Sequence, residues 1–551
     1  NYDGSAYNTA VGYQSGKYVS TGVQNTIVGG QAGDALTTGS YNTAIGYRAL
    51  STEDAHGYNT AIGYQSLATL NAGANAFNVA IGHNAGVSVT TGAYNTIIGS
   101  YTGDALTTGA DNVAIGYAAL STEDAHGKNV AIGNYALQDQ DAGADAYNVA
   151  IGYNAGKEVT TGTDNILIGG AAGDALTTGQ YNVVMGKGAL SNEDTGSRNT
   201  AIGHAALNVS NYDGDGYNTA LGFWAGLSVT TGAYNTLIGG LAGDSLTTGA
   251  GNVAIGYLAL STEDSGGTNV AVGHSALKDQ DAGDAYNTAL GYHSGKSVTT
   301  GTLNTLIGGL AGDALTTGTA GNVAVGYQAL TTQVEYGQNV AIGTQALRDQ
   351  DVNGHGNNTA VGHQAGLTMT TGVNNTLIGA LSGDALTTGY SNVAIGRNAL
   401  STEDTGRANV AVGYYALATQ NSDTANYNTA IGYAAGQNVT TGIQNTILGG
   451  EAGDALTTGS YNTALGYRAL TSEDTDGSNT AIGYKALAVQ DGGALNTAVG
   501  HQAGDAVTDG DNNTLVGGGA GGAITTGTNN ICVGQASGLV LTTGNNNVYI
   551  G

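Results

Sequence analysis

A five-residue pattern, Asn-(Thr/Val/Ile)-x-aliphatic-Gly, begins at Asn8, Asn25, Asn42, Asn59, Asn78, Asn95, Asn112 and Asn129 and continues without a gap to Asn547. There are 32 copies. They follow one another at about 17 residues, with occasional 18s and 19s, and a fixed period of this kind marks a repeat architecture. The residue before the Gly is aliphatic in every copy, from Val11 through Met185 to Ile550. Such a unit is too short for a helix pair, which takes about 33 residues, or for a propeller blade of about 40. A Gly every few residues also disfavours helix. The pattern alternates and is rich in Thr, Val and Ile, which predicts a short strand. The rest of the unit predicts a second short extended piece (VTTG or LTTG) and Gly-rich turns. Each unit is therefore expected to be one coil of an all-β, parallel β-solenoid (a β-roll). About 32 coils at a strand spacing of about 4.8 Å predict a rod on the order of 150 Å long. The Asn heading each coil is expected to stack as a side-chain hydrogen-bond ladder at a turn.

The coils come in four kinds: NTAVGYQSGKYVSTG (8–22), NTIVGGQAGDALTTG (25–39), NTAIGYRALSTEDAHG (42–57), and a fourth with a longer, variable loop (59–77). They cycle with a superperiod of about 70 residues. The heptapeptide GDALTTG or GDSLTTG marks the second kind and returns once per cycle, with Asp34, Asp104, Asp174, Asp244, Asp313, Asp384 and Asp454. In it, Leu36 is expected to plug the core, Thr37 and Thr38 to span the second strand, Gly33 and Gly39 to turn the corners, and Asp34 to stay wet or cap a turn amide. The chain reads as one continuous repeat region over 1–551, with regular four-coil cycles over 1–495 and degenerate coils over 496–551. It begins mid-coil, ends just after a core motif and shows no polar cap, which predicts a segment of a longer fibre.

Composition narrows the partners. Thirteen basic against 41 acidic residues give a net charge of −28, which argues against nucleic acid or an anionic membrane, since phosphate binding needs clustered Lys and Arg. No apolar run approaches the roughly 18 residues of a membrane span. With 40% hydrophobic residues in strict register, the chain is not a disordered low-complexity tract.

The strand pattern speaks to assembly. The third position of the motif faces opposite to the second and fourth. The second and fourth, Thr/Val/Ile and aliphatic, are expected to fill the coil interior. The third is also apolar: Ala in most coils, and Ile27, Ile97, Leu167, Leu237, Leu306, Leu377, Ile447 and Leu515 in the second kind. A strand apolar on both faces is buried on both, so the third position is expected to face another chain, in a homotrimer wound about a common axis. After the Gly, 17 of 31 coils carry Tyr or His, whereas second-kind coils carry Gly30, Ser100, Gly170, Gly240, Gly309, Ala380, Gly450 and Gly518. The rings are expected to cover the surface that Ile or Leu fills elsewhere, with glycan contact as the alternative.

Motifs for chemistry are weak. GGGAGG (517–522) matches a nucleotide-binding pattern but lacks a strand–helix context. His83, His204, His274, His363 and His501 occupy the post-Gly column of separate coils and substitute for Tyr. Cys532 sits at the third position and is expected to be buried and apolar. The STED loops (Glu53/Asp54, Glu123/Asp124, Glu263/Asp264, Glu403/Asp404) are expected to form a charged, solvated edge. Asp349, Asp351, Asn353 and Gly354 match the front half of an EF-hand loop, but position twelve is Ala360. Optional calcium at Asp349, Asp351 and Asn353 is the one metal candidate; related acids are Asp139/Asp141/Asp145 and Asp279/Asp281/Asp284. No catalytic or cofactor-binding residue is expected.

Runs such as NTAIGYRAL, NVAIGYAAL and TTGxxNTxIG resemble the repeat regions of bacteriophage tail fibres and the head repeats of trimeric autotransporter adhesins, which form a trimeric left-handed β-roll. The similarity covers essentially the whole chain, though the coil here is longer. It implies an extracellular location on a virion tail fibre or bacterial surface, and a role in projecting a receptor-binding region toward a cell-surface glycan or protein. The expected function is a non-catalytic, structural and adhesive fibre shaft. An ice-binding β-solenoid is the alternative, with Thr pairs interrupted by acidic loops arguing against it. A glycan-processing β-helix is a third reading, and no coil breaks the pattern with clustered acid, base or cation.

Overall fold

The computed structural model describes residues 5–317, 321–335, 337–472 and 475–551, so Gly318 of the fifth heptapeptide and Asn1 to Gly4 of the opening half-coil lie outside the described residues. The fold is an all-β parallel solenoid in which successive coils lie 17 residues apart at most steps, and no helix occurs among the described residues. Two units divide the chain, Asn1–His274 and Ser275–Gly551. The first carries β1 (Thr9–Val11) through β16 (Val270–Val272); the second carries β17 (Thr288–Leu290) through β32 (Val548–Ile550). Every strand is three residues long and is the centre of one Asn-x-x-x-Gly motif.

Within each unit the strands pair in parallel and in register. Thr26 lies opposite Thr43, Ile27 opposite Ala44 and Val28 opposite Ile45; in the second unit Thr446, Ile447 and Leu448 face Thr463, Ala464 and Leu465 in the same way. Backbone bonds tie each coil to both neighbours: the Thr26 amide donates to the Asn42 carbonyl at 2.9 Å, and the Gly29 amide to the Val11 carbonyl at 2.8 Å. The motif glycine is obligatory because the coils approach so closely there. Gly169 has φ +136°, and a Cβ on it would lie 2.6 Å from the Gly186 carbonyl oxygen.

The expected second strand does not form. At the heptapeptide corner the amides of Thr37, Thr38 and Gly39 converge on one acceptor, the Asp54 carbonyl of the next coil, at 2.6, 3.3 and 3.4 Å. Three amides on one oxygen are a turn, not a ladder, so the coil has one strand and a string of tight corners.

The faces of the strand are the reverse of the expectation. The third position is the core: Ile27 is 1% exposed, and Ala44, Ala61, Leu167 and Leu237 are fully buried. The second and fourth positions are half-buried or exposed in every coil, as in the strands at Thr43–Ile45 and Thr219–Leu221. The reason is width. A coil this small has room for only one inward column from its strand, so the column that is mostly Ala goes inside and the two bulkier columns go out.

Small and large residues do alternate, but inside the coil. Gly33 sits eight residues after its Asn, and a Cβ there would lie 2.8 Å from Leu36 Cδ1 and 3.4 Å from Ile27 Cγ2. Third-kind and fourth-kind coils place Leu50 and Leu67 at that same position, fully buried, over Ala44 and Ala61. A third column, eleven residues after the Asn, adds Val89, Leu36, Glu53 and Leu70, among others, beside a column of small buried residues seven after the Asn such as Ala32, Ala49 and Ser66. Three facing columns filled in complementary sizes explain the four-coil superperiod as a packing cycle. Cys532 lies in the core, as expected.

Candidate functional site

The Asn column forms the expected ladder. The amide of Asn25 donates to Asn8 Oδ1 at 2.8 Å, that of Asn42 to Asn25 Oδ1 at 2.9 Å, and that of Asn59 to Asn42 Oδ1 at 3.0 Å. The side-chain amide turns back across its own coil, as Asn25 Nδ2 does to the Gly39 carbonyl at 2.9 Å. From Asn25 through Asn59 these side chains are buried and structural.

Outside, the strands present a flat face of two columns, Thr or Val and then Ile, Val or Leu. Leu221 is 43% exposed, Leu290 47% and Leu448 41%. Aromatic columns border this face on both sides. One precedes the Asn, where Tyr41, Tyr58, Phe77 and Tyr94 stack at centroid distances of 4.8 to 5.5 Å. The other follows the Gly, where Tyr47 stacks on Tyr64 at 5.5 Å and Tyr64 on His83 at 5.0 Å. These rings do not stand in for Ile or Leu, which are inside. They take the space the small post-Gly residues leave: a Cβ on Gly30 would lie 3.5 Å from the Tyr47 ring, and Gly240 and Tyr257 repeat the contact.

The heptapeptide behaves as a corner. Leu36 is fully buried and Gly33 adopts φ +48°. The hydroxyls of Thr37 and Thr38 donate to the Asp54 and Ala55 carbonyls at 3.0 and 3.3 Å. The Asp is half-buried, not wet: one oxygen each of Asp34, Asp104, Asp174, Asp244, Asp313, Asp384 and Asp454 is shut from solvent without a hydrogen-bond partner. Burial pushes the carboxyls of Asp104, Asp174, Asp244, Asp313, Asp384 and Asp454 above the usual carboxylate range.

The STED loops are not simply a solvated edge. Glu53, Glu123, Glu193, Glu263 and Glu403 are fully buried, in the core column eleven residues after the Asn. Each of Glu53, Glu193 and Glu403 accepts the backbone N–H three residues on, from His56, Gly196 and Gly406 at 3.0, 2.8 and 2.7 Å. Burial raises the carboxyls of Glu193 and Glu403. The second carboxylate oxygen usually reaches the next coil: Glu53 accepts from the Ala72 amide at 3.2 Å, Glu193 from the Ser210 hydroxyl at 2.8 Å and Glu403 from Asn426 Nδ2 at 2.8 Å. The sequence signal for this burial is the column itself, which is apolar in first-kind and second-kind coils (Val89, Leu36) and holds uncharged buried residues such as Gln140 and Ser210 in fourth-kind ones.

Two of the calcium candidates have partners within the chain. Asp349 is held by Arg348, whose Nε and Nη2 donate to Oδ1 and Oδ2 at 2.7 and 2.6 Å. Asp351 Oδ1 accepts from the Val334 amide at 3.4 Å. Among the described residues, the side chains brought close enough to share a cation include Glu123, Asp124, His126 and Asp141, which unite an STED loop with one acid of the Asp139/Asp141/Asp145 cluster. The five post-Gly His residues stay in separate coils. The chain matches no known family model and no curated protein.

Proposed function

We propose that the chain is the non-catalytic shaft of an extracellular fibre, of the phage tail-fibre or bacterial surface-adhesin kind, and that three copies assemble with their sheet faces turned toward a common axis. One observation carries this reading. The outer face of the sheet repeats an aliphatic residue, partly exposed, in coil after coil, and monomeric proteins rarely leave a continuous apolar strip in water. Strands apolar on both faces belong in structures that cover both, and a further copy with the same repeat matches the strip coil for coil. The two-sided burial expected from the sequence is kept in this reading, with the faces exchanged. The aromatic columns at the margins supply flat, partly wetted rings suited to the apolar faces of a cell-surface glycan; a protein receptor at a fibre tip is the other partner of this reading. The Thr37 and Thr38 hydroxyls are already bonded to the next coil, which weighs against an ice-binding array at that edge. Sedimentation equilibrium tests the assembly: the expected mass is three times 54.4 kDa, and a stable monomer at micromolar concentration rules it out.

A further inference from the structure

The buried STED glutamates provide an internal control, because the same residue recurs against different neighbours. In three of them the residue that follows the core column in the next coil is Asn71, Asn211 or Asn421. In each of those coils the second oxygen of the glutamate (Glu53, Glu193, Glu403) is capped by an amide or hydroxyl of that next coil. Glu123 meets Asp141 instead. It is equally buried, at 0% exposure, yet its Oε2 is sealed from solvent without a hydrogen-bond partner. Its Oε1 accepts the His126 backbone N–H at 3.1 Å, and His126 Nδ1, like His56 Nδ1, is shut from solvent without a hydrogen-bond partner, 3.7 Å from Glu123 Oε1. The carboxylates of Asp124 and Asp141 stand beside these two residues, so that one donor atom from each of the four lies within 4.8 Å of the others.

Two carboxylates gathered beside a third whose buried oxygen is uncapped are not a stable arrangement alone, since an unpaired buried charge is costly and the chain already carries −28. The coil at Gln333 shows another solution: where Asp351 takes the place of Asp141, the core acid becomes a neutral Gln whose Nε2 donates to the Val352 carbonyl at 3.3 Å. At Glu123 the charge is kept beside an imidazole, as it is at Glu53 and His56, but here a fourth donor, Asp141, joins them from the next coil. Carboxylate oxygens with one imidazole nitrogen are the donor set of Zn²⁺ and related ions, whereas Ca²⁺ takes oxygen alone.

We propose that Glu123, Asp124, His126 and Asp141 bind a divalent transition-metal ion of the Zn²⁺ class, clamping two successive coils together. Glu123 and His126 come from one coil, Asp141 from the next. The ion occupies the role that the Asn-coil amides play at Glu53, Glu193 and Glu403.

The repeat supplies substitutions that the fold already accepts at equivalent positions: Glu123→Gln as at Gln333, His126→Gly as at Gly196, Asp141→Asn as at Asn71. The full chain is titrated with Zn²⁺ by calorimetry and with Co²⁺ by visible absorption. The wild-type chain is expected to take up one ion more tightly than any of the three variants, each weaker by at least about tenfold, a loss of about 1.4 kcal/mol. The Co²⁺ absorption is expected to vanish in His126→Gly. Absence of binding, or binding indifferent to Glu123→Gln and Asp141→Asn, overturns the site. Binding that survives His126→Gly undiminished overturns the assignment to this class of metal.

Discussion

Ile27 and Gly33, six residues apart in one coil, share a single volume of the core: a Cβ placed on Gly33 would come within 3.4 Å of the Ile27 Cγ2 methyl. Where the third position is Ala in third-kind and fourth-kind coils, the same volume is taken by a Leu such as Leu50. First-kind coils pair Ala80 with Gly86, and there the neighbouring coils fill the space: a Cβ on Gly86 would lie 2.8 Å from Ile97 Cδ1 and 3.2 Å from Leu67 Cδ2. Ile27 consequently belongs to the coil and not to the assembly.

The contrast between Ile27 and Ile45 follows directly. Ile27→Asp buries an unpaired charge and is expected to cost about 3–5 kcal/mol, melting the coil whatever the oligomeric state. Ile45→Asp, on the outer face, is expected to leave the monomer within about 0.5 kcal/mol while lowering the sedimenting mass. Thermal melts and sedimentation on both variants separate the two roles. An Ile45→Asp chain of unchanged mass would remove the outer face from the interface.

The ladder has a local cost that can be measured. Asn165 Oδ1 accepts the Asn182 amide at 3.0 Å, and its Nδ2 donates to the Gly179 carbonyl at 2.9 Å. Asn165→Ala strands both groups inside the stack, and each buried unsatisfied group costs about 1–3 kcal/mol. Amide exchange at Asn182 should accelerate strongly, with distant coils unaffected.

Two glycines with positive φ should respond very differently to Ala. Gly73 has φ +70° with nothing within 4 Å of an added Cβ, whereas Gly169 faces the Gly186 carbonyl. Gly73→Ala is expected to cost about 1–2 kcal/mol of backbone strain alone. Gly169→Ala adds about 1–3 kcal/mol of overpacking and parts the coils. Denaturant melts rank the pair.

Acid should strengthen the second-kind corners. The folded carboxyl of Asp174 is raised, first by burial and then by the nearby Glu158 charge. The folded chain therefore holds this proton more tightly than the unfolded one, and stability falls as pH rises through the interval between the ordinary value and the raised one. Below the ordinary carboxylate value the penalty is absent, and above the raised value it is complete. Replacing Asp104, Asp174, Asp244 and Asp384 together by Asn should raise the melting temperature at pH 7 by a few degrees and flatten its pH dependence. Melts of the two chains across a pH series decide it, and a lower melting temperature at pH 7 refutes it.

How far the fold can be read from the residues depends on the length of the signal. The period, the Asn ladder and Leu36 each recur or align over many coils, and the structure has them as read, as it has the burial of Cys532. The inside and outside of the strand are not legible from its own three residues, because Thr-Ala-Ile is apolar on both faces. The deciding clue lies eight residues away, in the exchange of Gly33 for Leu50 as Ile27 gives way to Ala44. Glu53 departs from expectation for a different reason. A charged residue by itself predicts a solvated position, but the first two coil kinds hold buried apolar residues such as Val89 and Leu36 in this column, and the backbone N–H of His56 donates to the buried carboxylate. The candidate metal residues are partly visible as an acid cluster, but only the stacking of coils brings Asp141 to Glu123.

Each coil also forces ordinary side chains into the left-handed backbone region. In the third coil Arg48, Leu50 and Tyr58 have φ of 54°, 53° and 64°, a conformation that costs about 1–2 kcal/mol for each such residue. No single coil has the internal bonds to hold three of them there, because its backbone partners lie in the coils above and below. A synthetic peptide of one period is therefore a random chain, and order must arise in several periods at once. The minimum folding unit of this protein is a stack, and its cooperativity is measured in coils rather than in residues.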